Sequence, residues 1–287
     1  MSYVIHGATG AQGKPVLTKL EAAGKQVVGL ARKHGTSDHG TPIVAARYSS
    51  VQELTAAYEG ADGVFVHLPI GAEEDRVTYA HNIAAALRAA QPRRVVVSTS
   101  GVVVDRPSSP LQAPVEAAVP TLIRGLEQAG LSYAVIAPRL FLENLLAPSV
   151  LDAVRTDGVL RYPLRADFPV SWSSHLDNAD VATALFDRTD ITGTIAVGQY
   201  PGLTGPDLAE AFTAHLGRTV SYEPSTPEVF GELLAPAIGA AGAAGVVALY
   251  QWLATVRDNT ITIDNSAQQK LGLKPRTTTE WLEQIGW

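Results

Sequence analysis

Three glycines near the N-terminus have the spacing of a phosphate-binding turn. Gly7, Gly10 and Gly13 form a GxxGxxG pattern that directly follows the apolar segment Tyr3–Ile5. Glycines at such a turn let the backbone approach a pyrophosphate, and the N-terminus of the following helix offers free N–H groups to it. The pattern and its position after a strand predict a bound dinucleotide.

Two cations follow the next predicted strand, where the ribose of a dinucleotide is usually recognised. Arg32 and Lys33 come after Ala31, and the first acidic residue beyond them is Asp38. An acid at this point typically selects NAD, whereas cations suit the additional 2′-phosphate of NADP(H). We therefore expect NADPH as the cofactor, the alternative role of the two cations being a solvated basic turn.

Composition restricts the class of protein. The 287 residues carry a formal net charge of −6 and no cysteine, and no run of Lys and Arg occurs. This argues against a sequence-independent nucleic-acid binder and excludes disulfides and thiolate metal sites. The histidines lack metal-ligand spacing, so we expect no metal. The N-terminus lacks the features of a signal peptide, and we expect a cytoplasmic protein.

Short β-branched runs alternate with helical stretches along the first half of the chain. This alternation predicts an α/β fold, a Rossmann-like doubly wound parallel sheet covered by helices on both faces. We assign residues 1–144 to a dinucleotide-binding Rossmann domain. Residues 145–287 are assigned mainly to a smaller C-terminal α+β substrate lobe, with segments that return to the sheet. The predicted strands are Tyr3–Ile5, Gln26–Ala31, Ile43–Ala46, Gly63–Leu68, Arg94–Ser98, Tyr133–Ile136 and Gly193–Val197, and the predicted helices are Lys14–Ala23, Val51–Tyr58, Asp75–Ala90 and Pro114–Ala129.

One segment has the length of a membrane span. Leu233–Val256 contains no charged residue, and about 20 apolar residues suffice to cross a bilayer. The segment is interrupted by Pro236 and Gly239, and it is rich in Ala, which contributes little to membrane insertion. We predict two closely packed helices, or a lid over an apolar pocket, rather than a membrane span.

The glycine turn is one of several motifs that together resemble the NmrA-like, atypical short-chain dehydrogenase/reductase family. This family includes NADPH-dependent quinone reductases, triphenylmethane dye reductases and redox-sensing regulators. The resemblance covers most of the chain and implies a Rossmann-like fold that binds NADPH. The motifs are the Gly-Ala-Thr-Gly sequence from Gly7, Arg32, Glu59–Phe65, Ser98–Gly101, Pro138–Asn144, Asp180–Ala182 and Leu271–Pro275.

The resemblance also implies which residues contact the cofactor. The turn would hold the pyrophosphate, and the two cations would hold the 2′-phosphate. The end of the fourth predicted strand would line the adenosine and ribose, and the ends of the fifth and sixth strands would flank the nicotinamide. In that order, the residues are Gly7, Thr9, Gly10, Ala11, Gln12 and Gly13; Arg32 and Lys33; His67, Leu68 and Pro69; and Ser98, Thr99, Ser100 and Pro138.

The catalytic pair of the better-known short-chain dehydrogenases is missing. Those enzymes use a Tyr as general acid and a Lys four residues later, because the alkoxide formed from a ketone must be protonated. None of the nine tyrosines has a Lys at that spacing, and Pro114–Ala129, the helix expected to carry the pair, contains neither residue. Ser100 occupies the place of the family's catalytic serine, and its alternative role is a strand-end cap.

Further polar and aromatic residues are candidates for proton transfer or substrate binding. His175 is a candidate proton donor oriented by Asp177, the alternative being a structural hydrogen-bonded pair. Each of the other candidates has a structural alternative. For Arg139 it is pairing with Glu143, for Glu143 and Asn144 it is hydrogen bonding to the backbone, and for the aromatic residues it is core packing. The candidate substrate-binding residues are Arg139, Phe141, Glu143, Asn144 and Trp172.

These features together predict an NADPH-dependent oxidoreductase that passes hydride to a flat conjugated acceptor, such as a quinone or a secondary-metabolite intermediate. Delocalisation in such an acceptor stabilises the developing anion, so a solvent proton suffices without a Tyr–Lys pair. Two alternatives remain open: a non-catalytic NADP(H)-sensing regulator, and a non-redox isomerase or cyclase on the same fold. We expect a small, apolar substrate and neither nucleic acid nor a membrane as partner; a homodimer or a regulatory protein partner is compatible with each alternative.

Overall fold

The computed structural model describes residues 2–287, in which strands and helices alternate from the N-terminus. The strands are β1 (Ser2–His6), β2 (Gln26–Ala31), β3 (Gly35–Thr36), β4 (Pro42–Ala45), β5 (Gly63–His67), β6 (Arg94–Ser98), β7 (Tyr133–Pro138), β8 (Leu140–Phe141), β9 (Val159–Tyr162), β10 (Trp172–Ser173), β11 (Gly193–Val197) and β12 (Ser221–Pro224). The helices are α1 (Gly13–Ala22), α2 (Val51–Tyr58), α3 (Glu73–Ala90), α4 (Ala118–Gln128), α5 (Pro148–Asp157), α6 (His175–Asp187), α7 (Gly205–Leu216), α8 (Pro227–Leu253), α9 (Ala267–Leu271) and α10 (Thr278–Gln284).

Eight of the strands form one sheet, in the order β11-β7-β6-β5-β1-β2-β4-β3. The pairs β1–β2, β1–β5, β5–β6 and β6–β7 are all parallel, whereas the short β3 runs antiparallel to β4. The chain extends the sheet from β1 in one direction and then continues at β5 on the other side of β1. Strand order therefore reverses between β1 and β5, and open α/β sheets bind ligands beyond the carboxyl ends of their strands at such a switch point. The predicted Rossmann-like α/β sheet is confirmed.

The central strands are buried without interruption. Val64–Val66 in β5 and Val95–Val97 in β6 are at most 1% exposed, which requires helices on both faces of the sheet. Helices α2, α3 and α4 contribute to one core cluster, while α1 packs against α6. A Cβ on Gly125 of α4 would lie 2.5 Å from the Cβ of Ala84 in α3, so these two helices are in close contact.

The described chain divides into two compact units. The first comprises the residues up to Pro138 together with His175–Ala196 and Ala267–Leu273, and it contains the strands that surround the switch point. The second comprises Arg139–Ser174, Val197–Ser266 and Lys274–Trp287. Within the second unit, β8 pairs with β10 and β9 pairs with β12, each pair forming a small parallel sheet.

Helix α8 is a hairpin of two helical arms. Gly239 has φ 76° and ψ 162°, which is not helical, and the arms that flank it pack against each other. The rings of Phe230 and Tyr250 are 5.5 Å apart, and a Cβ on Gly231 would lie 2.2 Å from Val247. The prediction of two closely packed helices for the uncharged segment is confirmed.

Because α8 is a hairpin, its total apolar length does not indicate a membrane span. Taken as one helix, Pro227–Leu253 has the length and composition of a membrane span. Each arm, however, has about 12–14 residues and measures about 20 Å, whereas the hydrocarbon core of a bilayer is about 30 Å thick. Neither arm is long enough to cross a membrane.

Element bounds follow the sequence pattern closely, with one clear difference. The observed β2, β6, β11 and α2 have the predicted bounds. The helix predicted to begin at Pro114 instead begins at Ala118. The residue that precedes the helix, Ala117, cannot cap it with a side-chain hydrogen bond. Instead, the backbone N–H of Ala118 donates to Glu73 Oε1 at 2.8 Å. A carboxylate from α3 therefore marks the start of α4, which no local pattern indicates.

Candidate functional site

The turn after β1 requires glycine for two different physical reasons. Gly7 has φ 59°, in the left-handed region that glycine adopts without steric cost. Gly13 is constrained by space, because a Cβ there would lie 2.2 Å from the carbonyl oxygen of His6. The turn is closed by the N–H of Gly10, which donates to the carbonyl of Gly7 at 2.7 Å. The N-terminus of α1 therefore lies directly against the end of β1.

The glycine turn and the start of α1 suit an anion. The N–H of Lys14 already donates to the carbonyl of Gly10 at 3.0 Å and Pro15 has no N–H, so the donors available to an anion come from the residues just before Lys14. Gln12 precedes the helix without making a side-chain cap, and the first turn contains no acidic residue. The free N–H groups and the partial positive charge at a helix N-terminus attract phosphate oxygens. Thr9, Gly10 and Ala11 are exposed beside this N-terminus. This arrangement fits a pyrophosphate group.

The side chain of Gln12 connects the turn to the end of β6. Its Nε2 donates to Ser100 Oγ at 2.9 Å, and its Oε1 accepts from the hydroxyl of Ser98 at 2.8 Å. The backbone N–H of Ser100 in turn donates to Ser98 Oγ at 3.3 Å. We call Gln12, Ser98 and Ser100 the Gln12–serine network. It joins residues from both segments that were predicted to contact the cofactor.

Ser100 has an unusual backbone conformation within this network. Its φ is 56°, and a left-handed conformation costs a residue with a Cβ about 1–2 kcal/mol. Such strain persists where the surrounding contacts determine the conformation, and it concentrates at functional sites. The neighbouring Thr99 is fully buried, and its Oγ1 has no hydrogen-bond partner among the described residues.

His67 ends β5 and lies against the glycine turn at the switch point. A Cβ on Gly7 would be 2.4 Å from His67 Nε2. This nitrogen is buried and makes no hydrogen bond within the described chain. Burial lowers the pKa of His67, an effect that the backbone groups of Leu68 and His6 oppose. The imidazole is therefore neutral at physiological pH.

His175 begins α6 and is 9% exposed. Burial, and then the nearby His67, lower the pKa of His175 to about 4. A histidine that is neutral at physiological pH is not an effective proton donor. The proton-donor role expected for His175 therefore has no support from its pKa and stays a prediction, as does its structural pairing with Asp177.

The two cations expected to contact a 2′-phosphate follow β2 at the carboxyl edge of the sheet. Arg32 and Lys33 are both exposed there. Asp38, the first acidic residue after them, is paired with Lys14 Nζ at 2.8 Å. The hydrogen bond and charge of Lys14 hold the pKa of Asp38 below its ordinary value. The nearest carboxylate in the sequence is thus already paired, and the region beside Arg32 and Lys33 suits an anion.

Leu68 and Pro69 follow β5, and Pro138 ends β7. Leu68 and Pro138 are buried and Pro69 is half-buried. Because β5, β6 and β7 all run parallel to β1 in the sheet, these residues and the Gln12–serine network share the carboxyl edge with the glycine turn. The predicted cofactor residues are therefore distributed along one edge of the sheet.

The charged candidates for substrate binding have internal partners in the second unit. Arg139 is 1% exposed, and its Nε donates to the carbonyl of Thr260 at 3.3 Å. Glu143 Oε1 accepts from Trp281 Nε1 at 3.2 Å. Both contacts lie within the second unit, and a role of Arg139 and Glu143 in substrate binding stays a prediction.

Two of the remaining candidates, Trp172 and Asn144, contact a buried aromatic cluster of the second unit. Trp172 is 1% exposed, and its ring meets that of Tyr162 edge-on at 5.6 Å. Tyr162 and Tyr250 share a hydrogen bond between their hydroxyls, and Asn144 interacts with both. Phe141 is 7% exposed. Core packing, the alternative for the aromatic residues, describes the contact of Trp172, and a role of all three residues in substrate binding stays a prediction.

The parallel sheet, its switch point and the glycine turn define a Rossmann-like α/β protein. Among residues 2–287, no group of three or more metal-ligating side chains occurs. The model of the NmrA-like family matches residues 3–282. The chain belongs to the NmrA-like family, which confirms the resemblance carried by its motifs.

Solved structures with the same fold include two reductases. The triphenylmethane reductase of Citrobacter sp., crystallised with NADP(H), has a TM-score of 0.78 at 17% identity, with 99% of each chain covered. The NADPH-dependent quinone oxidoreductase of Escherichia coli, complexed with NADPH, has a TM-score of 0.72 at 18% identity, with 100% of each chain covered. A Staphylococcus aureus protein described as a nucleoside-diphosphate-sugar epimerase has a TM-score of 0.76 at 18% identity, covering 99% of this chain and 100% of its own. No curated protein matched the sequence.

Proposed function

We propose that this protein binds NADPH at Gly7–Gly13 and transfers hydride to a flat conjugated acceptor such as a quinone. The observation that carries the proposal is the glycine turn at the switch point, followed by a helix N-terminus without an acid. Membership of the NmrA-like family supports it, as does similarity to two reductases crystallised with NADP(H) or NADPH.

Each part of the site binds a different part of the cofactor. The turn and the N-terminus of α1 hold the pyrophosphate through backbone N–H groups. Arg32 and Lys33 bind the 2′-phosphate, because a guanidinium offers two parallel N–H donors to phosphate oxygens. The Gln12–serine network lies at the end of β6, where the nicotinamide is expected.

Hydride transfer to a conjugated acceptor is the reaction that this chain supports best. When bound, NADPH supplies a hydride to the quinone and leaves as NADP⁺, and one proton from solvent completes the hydroquinone. Charge on the reduced acceptor is delocalised, so the chain does not need a strong acid. This agrees with α4, which contains neither Tyr nor Lys, and with the lowered pKa of His175.

Titration calorimetry with NADPH and NADH, followed by NADPH absorbance with a panel of quinones and dyes, tests the proposal. We expect acceptor-dependent NADPH oxidation by the unmodified protein. Arg32→Ala should weaken NADPH binding about 10–100-fold, the value of one charge-assisted hydrogen bond, and affect NADH much less. Arg93→Ala, which removes another exposed arginine, is the matched control. Failure to bind either nucleotide would refute the proposal.

A second candidate function is a sensor of NADP(H) that acts through a partner without turnover. The observation in its favour is the absence of Tyr and Lys from α4. Tight NADPH binding without oxidation in the presence of any acceptor would favour this sensor or a non-redox enzyme over the reductase. A complex with a protein partner that forms with only one redox state of the cofactor would distinguish the sensor.

A further inference from the structure

The hydrogen bonds of the Gln12–serine network have a defined direction. Ser98 donates its hydroxyl hydrogen to Gln12 Oε1, and Gln12 Nε2 donates to Ser100 Oγ. Ser98 Oγ already accepts from the backbone N–H of Ser100. With the amide of Gln12 reversed, Ser98 Oγ would face two donors, and its own hydrogen would lose its acceptor. Both orientations make two side-chain hydrogen bonds, but the observed one leaves the remaining hydrogen on the half-buried Ser100 instead of on Ser98, which is 1% exposed. It is therefore favoured, because an unpaired polar hydrogen costs more when it is buried.

This direction leaves the hydroxyl hydrogen of Ser100 for an external acceptor. Ser100 Oγ accepts from Gln12 and donates to no described residue, and the side chain is half-buried. In a chain of hydrogen bonds that all point the same way, each bond polarises the next. Ser98 and Gln12 thus strengthen Ser100 as a donor.

The backbone around Ser100 fixes where this donor lies. Ser100 and Gly101 have φ values of 56° and 94°, so the chain turns sharply at the end of β6. The hydrogen bonds to Gln12 and from the Ser100 backbone N–H to Ser98 hold the residue in this conformation. Gln12 itself immediately precedes α1, so the donor is tied to the turn expected to hold the pyrophosphate.

We propose that Gln12 is a positioning residue that fixes Ser100 as a hydrogen-bond donor to a carbonyl oxygen of the acceptor. The inference rests on the proposed function and deepens it, because it defines the acceptor as one with an oxygen on which negative charge develops. Ser100 stabilises this charge in place of the missing Tyr–Lys pair and keeps its own proton. The proton that completes the hydroquinone comes from solvent.

Two acceptors that differ in the atom receiving charge test this role. A quinone develops charge on oxygen, whereas a cationic triphenylmethane dye takes hydride at its central carbon and becomes neutral. We expect Ser100→Ala to lower kcat with the quinone about 100-fold, as loss of an oxyanion donor does. Gln12→Met and Ser98→Ala should lower it about tenfold. For all three variants, the loss with the dye should be several-fold smaller. Both kcat values are measured at saturating NADPH, so that a change in cofactor affinity does not enter the comparison.

The control variant is Gln128→Met, which alters an exposed glutamine of α4 and should leave the ratio of the two kcat values unchanged. Equal losses with quinone and dye, or no loss with either acceptor, would show that the network does not act on the acceptor oxygen. Those results would overturn the inference while the proposed function stands. Reduction of the dye alone by the unmodified protein would also overturn the inference, and reduction of neither acceptor would refute both proposals.

Discussion

At the residue scale, the glycine turn depends on a contact as well as on backbone conformation. Gly7 and Gly24 have similar φ values of 59° and 68°. A Cβ on Gly7 would meet the imidazole of His67, whereas a Cβ on Gly24 would have no atom within 4 Å. Both positions therefore require glycine for its backbone conformation, but only Gly7 also requires it because a side chain would have no space.

Replacing each of these glycines by alanine should give different losses of stability. Both variants lose about 1 kcal/mol through the left-handed conformation. Gly7→Ala should lose a further 1–3 kcal/mol or so, because the side chain of His67 must move. Denaturant unfolding measures both values. In a His67→Ala background the excess for Gly7→Ala should largely disappear, and an unchanged excess would contradict this explanation.

A buried histidine beside the turn should make stability depend on pH. His6 Nε2 and the hydroxyl of Tyr58 are 2.7 Å apart, and burial, with a smaller contribution from His67, lowers the pKa of His6 to about 3. The unfolded chain, with a pKa near 6.5, binds the proton first as pH falls, so stability is complete above about pH 6.5 and decreases below it. Between pH 6.5 and pH 5, His6 should cost about 2 kcal/mol.

The variant His6→Gln should remove this part of the pH dependence. Denaturant unfolding at pH 7 and pH 5 would show a loss of stability that is about 2 kcal/mol smaller than in the unmodified protein. His39→Gln, at an exposed position, is the control and should retain the original dependence. Identical pH dependence in both variants would rule out His6 as the source.

At the element scale, contacts between helices decide features that helix propensity does not. Helix α4 begins where Glu73 of α3 accepts the N–H of Ala118, four residues after the start predicted from Pro114. Further along, Gly125 of α4 faces Ala84 of α3 with no room for a Cβ. Glycine is an unfavourable residue inside a helix, so its presence at Gly125 is explained by packing.

Two helical glycines should respond to alanine with opposite signs. Gly125→Ala gains up to about 1 kcal/mol of helix propensity but should lose about 1–3 kcal/mol through overpacking against Ala84. Gly245→Ala, in the second arm of α8, has open space around its Cβ position and should be neutral or stabilising by up to about 1 kcal/mol. Thermal or denaturant unfolding compares them, and stabilisation by both would mean that α3 and α4 separate easily.

At the scale of the whole molecule, the hairpin α8 is the feature most easily misjudged from composition. Its uncharged stretch continues through both arms, and Leu233, Ile238, Leu249 and Trp252 are substantially exposed. The reversal at Gly239 divides the stretch into two arms that are each too short to cross a bilayer. Contacts between the arms, including the hydrogen bond from Gln251 Nε2 to Glu228 Oε1 at 2.6 Å, close the base of the hairpin.

The hairpin predicts how the protein distributes between water and membranes. After expression, the protein should remain in the supernatant when membranes are sedimented following alkaline extraction, because an integral span would resist this treatment. A variant in which residues 233–256 are replaced by a charged helical hairpin is the control for recovery in the supernatant. Retention of the unmodified protein in the membrane pellet would contradict the two-arm interpretation of α8.

The sequence by itself determined the features that depend on short-range physics. The bounds of β2, β6 and α2 follow from runs of apolar residues and from Ser50, whose side chain accepts the N–H of Glu53 at the start of α2. The glycine turn and the family motifs are also local, because backbone sterics at a few adjacent residues decide them. These signals are sufficient to predict the fold, the family and the edge of the sheet that carries the candidate site residues.

Only the tertiary structure decided which distant side chains meet. Gln12 is 86 and 88 residues from its partners Ser98 and Ser100, and no sequence pattern indicates that its amide links the turn to β6. The contact between Gly7 and His67, and the cap of α4 by Glu73, are of the same kind. Such contacts depend on strand order and on how closely helices pack, and both are fixed only when the complete chain has folded.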